Sequence, residues 1–375
     1  MKHELERIEV PGEHEARERA WSVLEFAFAE RQPVERRARI VRPAIAVAVV
    51  VAALAAVLSP PGRAVLDEIR EAVGVERAQP ALFSLPAPGR LLVASDAGLW
   101  VVQQDGSKRL LGPYREGSWS PFGRFVVASR ENELAALEPD GDVRWTLARR
   151  DVRFPRWAGT ETDTRIAYVD RSGLRIVAGD GTADRLLVAG VRGPIAWRPG
   201  SGFVLAHVTP RSVRVLDAST RKLLWQAPRP GGRPTALEWS SNGRRLLVLS
   251  PAALYVYDAR GRMVDQNDPA EGWPNVDAAF RPDSADVAVA RVHGSQSTVF
   301  GLGRLPLQQF NGTGEFREVA WAPGGRWYLV TWPTADQWVF VRAESGRQRI
   351  RAISNVTEQF RSSSFPRIEG WIATD

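Results

Sequence analysis

An aromatic residue, a Pro/Gly turn and a short apolar run recur along this chain about every forty residues, and a period of that size restricts the fold to a repeat architecture. Trp119 is followed by SPFGR, Trp157 by AGTETDTR, Trp197 by RPGSG, Trp239 by SSNGR, Phe280 by RPDSA and Trp321 by APGGR. The steps between these six aromatics are 38, 40, 42, 41 and 41 residues. Leu85, followed by PAPGR, and Phe365, followed by PRIEG, read as degenerate copies at the two ends.

Each copy has the same grammar. A first apolar run follows the aromatic, as in FVVAS (125–129), LLVLS (246–250) and WYLVTW (327–332). A second run comes next, as in ELAAL (133–137), LYVYD (254–258) and WVFVR (338–342), then a turn, often DG, RG or SG, and a weaker third run such as VRWTL (143–147). Runs of four to six β-branched, aliphatic and aromatic residues between Gly, Pro, Asp and Asn predict strands. One four-stranded sheet cannot bury both its faces, but sheets stacked around an axis can. The expectation is therefore an all-β fold, a seven-bladed β-propeller of four-stranded antiparallel blades over residues 82–375. In this reading Trp119, Trp157, Trp197, Trp239, Phe280 and Trp321 are structural blade-signature residues that pack between neighbouring blades. The C-terminal segment around Phe360–Pro366 is placed to add a strand to blade one and latch the ring; the alternative is an eighth, incomplete blade.

A different kind of segment precedes the repeats. Residues 43–62, PAIAVAVVVAALAAVLSPPG, carry no charge and are long enough to cross a bilayer as a helix. Arg31, Arg36, Arg37, Arg39 and Arg42 precede this run, and a mixed-charge segment follows it. The positive-inside rule then predicts a single-pass protein of the cell membrane, N-terminus cytoplasmic and propeller extracytoplasmic. A cleaved signal segment and a soluble helix are the competing readings of this run. Residues 1–42 form a cytoplasmic tail in this scheme, with an amphipathic helix whose face at Trp21, Leu24 and Phe28 could meet a partner. Residues 63–81 read as a short amphipathic helix ending near Gly74, and a linker.

The W-S-P-x-G-R phrase, clear at Trp119, Trp239 and Trp321 and degenerate elsewhere, resembles the WD40-like repeats of TolB-type propeller proteins, although neither Gly-His nor Trp-Asp occurs in the chain. The layout of tail, span and propeller resembles membrane-anchored propeller proteins of actinobacterial type, and more distantly membrane anti-sigma factors. The first resemblance implies a scaffold and a location, not a reaction.

The composition removes several chemistries. There is no Cys, and the four His (His3, His14, His207, His293) show no metal-ligand spacing, so neither a metal site nor a cofactor is expected. No G-x-S-x-G nucleophile elbow occurs. Asp105-Gly106, Asp140-Gly141 and Asp180-Gly181 fall at the same point of their repeats and read as hairpin turns, as do Asp217 and Asp258 at the ends of strands. The net charge of +7 is carried by arginines spread along the repeats, which disfavours nucleic acid as a partner. The expected function is a non-enzymatic, membrane-tethered binding module for a protein, peptide or cell-envelope ligand. The alternatives are a transmembrane sensor whose tail holds a cytoplasmic regulator such as a sigma factor, and a propeller enzyme.

Overall fold

A computed structural model describes residues 75–79 and 84–373, apart from 201, 304–306, 308 and 344–348. Seven antiparallel sheets of four strands follow one another along the chain. Blade two is representative: its strands run Glu116–Trp119, Val126–Arg130, Glu133–Leu137 and Val143–Ala148, in that spatial order from the inside outward. The inner strands of consecutive blades touch in a complete circle, which closes the ring.

The burial gradient within a blade follows from this stacking. The second and third strands are covered on both faces by neighbouring blades, and they read as near-continuous apolar runs rather than alternating ones. The outer strand of blade two alternates between half-buried and exposed positions. Seven separate buried clusters result, one for each blade–blade interface.

The recurring phrase has a local explanation. In the turn after Trp119, the Gly123 amide donates to the Ser120 carbonyl, and Gly123 takes a left-handed φ of 66°. Gly243 and Gly325 repeat the turn at φ 64° and 63°. A side chain is strained in that backbone region, so glycine recurs there. The Asp-Gly pairs form hairpin turns between third and outer strands: the Oδ1 atoms of Asp105, Asp140 and Asp180 accept the amides of Ser107, Asp142 and Thr182. Asp217 and Asp258 accept backbone amides in the same way.

The ring closes by the expected C-terminal latch on blade one, but with a segment later than Phe360–Pro366. The inner strand of blade one is the C-terminal segment Arg367–Ile372, paired with Arg90–Ser95, so there are seven blades and no eighth. Trp371 pairs with Leu91, as Trp119 pairs with Val126 and Trp321 with Tyr328. Trp371 therefore holds the seventh aromatic position, and Leu85 and Phe365 do not. They are buried instead in the interface between blades seven and one, with Trp100, Trp338, Phe340 and Phe360. A further strand, Val75–Gln79, runs parallel to the outer strand of blade seven, Ile350–Ser354, within the stretch expected to be linker.

No helix among the described residues is long and apolar enough to cross a membrane. The expected span at 43–62, the tail face at Trp21, Leu24 and Phe28, and the helix expected over 63–74 lie outside the described residues.

Candidate functional site

Antiparallel strands place the turns from inner to second strand, and from third to outer strand, on one side of the ring. We call this the turn face. The six expected signature aromatics end or lie within inner strands and are buried to 4–9% exposure. Two of them also tie one blade to the next by hydrogen bonds: Trp197 Nε1 donates to the Arg156 carbonyl at 2.9 Å, and Trp321 Nε1 to the Ala279 carbonyl at 3.1 Å, each reaching the preceding blade. They are packing residues, and of the six only Trp157 also reaches the wall of a cleft described below.

Around the central axis the inner strands carry acids that the aromatic-centred reading missed. Glu238, Asp277, Glu318, Glu369 and Glu116 come from blades five, six, seven, one and two. Each accepts a backbone amide from the next blade's inner strand or its approach. Glu238 takes Phe280 at 3.3 Å, Asp277 takes Val319 at 2.9 Å, Glu318 takes Ile368 at 2.8 Å, Glu369 takes Gly117 at 3.4 Å and Glu116 takes Phe154 at 2.6 Å. Burial pushes the Glu238 and Glu318 carboxyls up to about 8, with Asp277 adding to both, and pushes Asp277 up to about 6. Glu369 is also raised by burial, against the pull of Arg367 and Arg156. The signal was present in the sequence as an acid one to three residues before the aromatic, in EGSW, EW, DAAF, EVAW and EGW. Blades three and four lack it.

Among the described residues, two sizeable clefts open on the turn face. One lies between blades two and three, holds about 400 Å³, and is lined by Phe122, Phe125, Trp145 and Trp157 with Arg124 and Arg144. The other lies beside the turns of blade five, holds about 480 Å³, and is lined by Arg244, Arg245, Arg260 and Arg262 with Asp258 and Val264. Among the described residues no group of three or more His, Asp or Glu side chains has metal-binding geometry.

Against this geometry the comparisons speak to the fold. No protein-family model matches the sequence, and no curated protein matches it. The β-propeller domain of Cps50 (Swd1) from Myceliophteria thermophila superposes with a TM-score of 0.54 at 15% identity, covering 74% of this chain and 96% of that one. The likeness is one of fold. A chain of the mitotic checkpoint complex gives 0.49 at 17% identity, covering 68% and 90%. Hydrazine synthase from Kuenenia stuttgartiensis gives 0.48 at 14%, covering 72% and 80%. The chain has the fold of a seven-bladed β-propeller, and function has to be argued from its surface.

Proposed function

We propose that this chain is a non-enzymatic interaction module that docks a protein or peptide on the turn face of its propeller. One observation carries the choice of face. Every large hydrophobic side chain strongly exposed among the described residues lies there: Phe122 in an inner-to-second turn, and Leu110, Val143, Leu223, Leu224, Met263 and Val264 within the first three residues of an outer strand. Isolated exposed apolar residues are ordinary, but their confinement to one side of a ring, beside two clefts, is the pattern of an interaction surface. We further propose that residues 43–62 tether the module to a membrane with the propeller outside, on the strength of the uncharged run and the arginines before it.

Photo-crosslinkable residues placed at Phe122 and Leu224 on the turn face, and at Asn132 and Arg211 on the opposite face, test the docking surface in cells. Discrete adducts from the first pair alone are expected; adducts from both faces alike, or from neither, overturn the proposal. A reporter active only outside the membrane, fused after Asp375, tests the topology. Its silence, with activity from a cytoplasmic reporter at the same position, would refute the external placement.

A further inference from the structure

Arginines on the turn face fall into two groups. Some are part of the packing. Arg90 donates to the Gly123 carbonyl at 2.7 Å and lies 4.9 Å over the Trp119 ring. Arg198 does the same between blades four and five, to the Gly243 carbonyl at 2.7 Å and over Trp239 at 5.5 Å, and Arg281 lies 5.6 Å over Trp321. These guanidinia bridge one blade to the next and cover the signature indoles.

The arginines of the blade-five cleft belong to the second group. Arg244 and Arg245 come from the turn and start of the second strand, and Arg260 and Arg262 from the hairpin turn between third and outer strands. Only Arg262 has an acidic partner, Asp258 at 2.7 Å. The guanidinia of Arg244, Arg245 and Arg260 hold no hydrogen bond or ion pair among the described residues, and Arg244 and Arg260 are exposed. Four cations thus face one carboxylate in a cleft large enough for several side chains.

An apolar strip adjoins the cleft. Val264 lines it and is 44% exposed; Met263 beside it is 51% exposed. Leu223 and Leu224, at 46% and 45%, start the outer strand of blade four. The start of the blade-four outer strand abuts the blade-five turn, since Trp225, next to Leu224, donates from Nε1 to the Ala259 carbonyl in that turn at 3.1 Å. A bare phosphate would satisfy the arginines and leave the strip uncovered. An acidic chain with apolar side chains satisfies both, since guanidinium forks match carboxylates and the strip supplies the apolar area.

We infer that the blade-five cleft and its apolar strip dock an extended acidic peptide, its carboxylates on Arg244, Arg245 and Arg260 and its apolar side chains over Leu223, Leu224, Met263 and Val264. This rests on the turn face being the docking surface and names the chemistry of what docks there.

The test is to pan a displayed library of random dodecapeptides against the immobilised full-length chain and against its Arg244→Glu/Arg260→Glu variant. Both substituted side chains are exposed and hold no hydrogen bond or ion pair among the described residues, so the variant should melt with the parent, and melting is measured first. Enriched peptides that combine Asp or Glu with Leu, Ile, Met or Phe, bind the variant about tenfold or more weakly and lose affinity with added salt are the expected result. A Met263→Ser/Val264→Ser variant should weaken the same peptides several-fold. Basic or neutral consensus sequences, equal binding to the variant, no enrichment at all, or full displacement by millimolar inorganic phosphate would each overturn the assignment. The crosslinking above separates the two levels. Adducts at Phe122 that persist while the library fails remove only the acidic peptide, whereas loss of adducts at both Phe122 and Leu224 removes the docking face.

Discussion

At the scale of single residues, the blades are joined by two indole contacts, and only one was legible in the sequence. The signature Trp at the end of an inner strand announced itself through the turn that follows it. The second contact involves the outer-strand Trp145 and Trp225, whose Nε1 atoms donate to the carbonyls of Gly179 and Ala259 in the next blade's hairpin turn. There the Asp-Gly or Arg-Gly glycine lies flat against the ring: a β-carbon on Gly261 would approach the Trp225 ring to 2.7 Å, at a φ of 84°. The sequence showed a turn glycine and a strand tryptophan, but not that they meet, because the partners lie 36 residues apart on different blades. Gly261→Ala should therefore cost about 1–3 kcal/mol, through both the left-handed backbone and the displaced indole. Urea unfolding measures it, and an unchanged midpoint would show that the ring gives way freely. The arginine cleft was illegible for a related reason: Arg244–Arg245 and Arg260–Arg262 are separate stretches that only the folding of one blade brings together.

At the scale of elements, the closing strand is the instructive case. The surplus C-terminal phrase correctly indicated a latch on blade one, but placed it around Phe360–Pro366, whereas pairing begins at Arg367. The residues before it serve as an anchor. Phe360 packs on Trp100 and Trp338 at ring distances of 5.8 and 5.0 Å. Asp96, in the turn between the second and third strands of blade one, accepts the amides and hydroxyls of both Ser363 and Ser364 at 2.7–2.9 Å. Those four bonds hold its carboxyl well below the ordinary range. A serine run looks like linker in a sequence, since nothing local shows that its donors converge on a carboxylate some 270 residues away. Asp96→Ala should raise amide hydrogen exchange across residues 361–366 and leave blades three to five unchanged. Equal protection in the variant would mean that the aromatic packing alone secures the latch.

At the scale of the whole molecule, the ring of inner-strand acids makes stability depend on pH in an uncommon direction. Carboxylates stabilised by salt bridges favour the fold as pH rises, but Glu238 and Glu318 are raised to about 8 and Asp277 to about 6, chiefly by burial. Below the ordinary carboxyl value, folded and unfolded chains both hold these protons. Between that value and about 8 the unfolded chain has released them and the folded chain has not, so each unit of rising pH favours unfolding until the folded groups ionise as well. The mutual repulsion of Glu238, Asp277, Glu318 and Glu369 acts in the same sense. Asp96 and Asp180, lowered by their hydrogen bonds, act oppositely and remove stability only as the solution becomes strongly acidic. The melting temperature should therefore peak near pH 5 and fall continuously toward pH 8.5. Glu238→Gln/Glu318→Gln keeps a carbonyl oxygen to accept the Phe280 and Ile368 amides but has no proton to lose. Its melting temperature should fall much less from pH 5 to 8.5, keeping only the slope that Asp277 and Glu369 contribute, and exceed that of the parent at the alkaline end. A flat profile in the parent, or the same slope in the variant, would show that these carboxyls ionise in the folded ring without penalty, and that the interior of the ring is wetter than the packing of its inner strands implies.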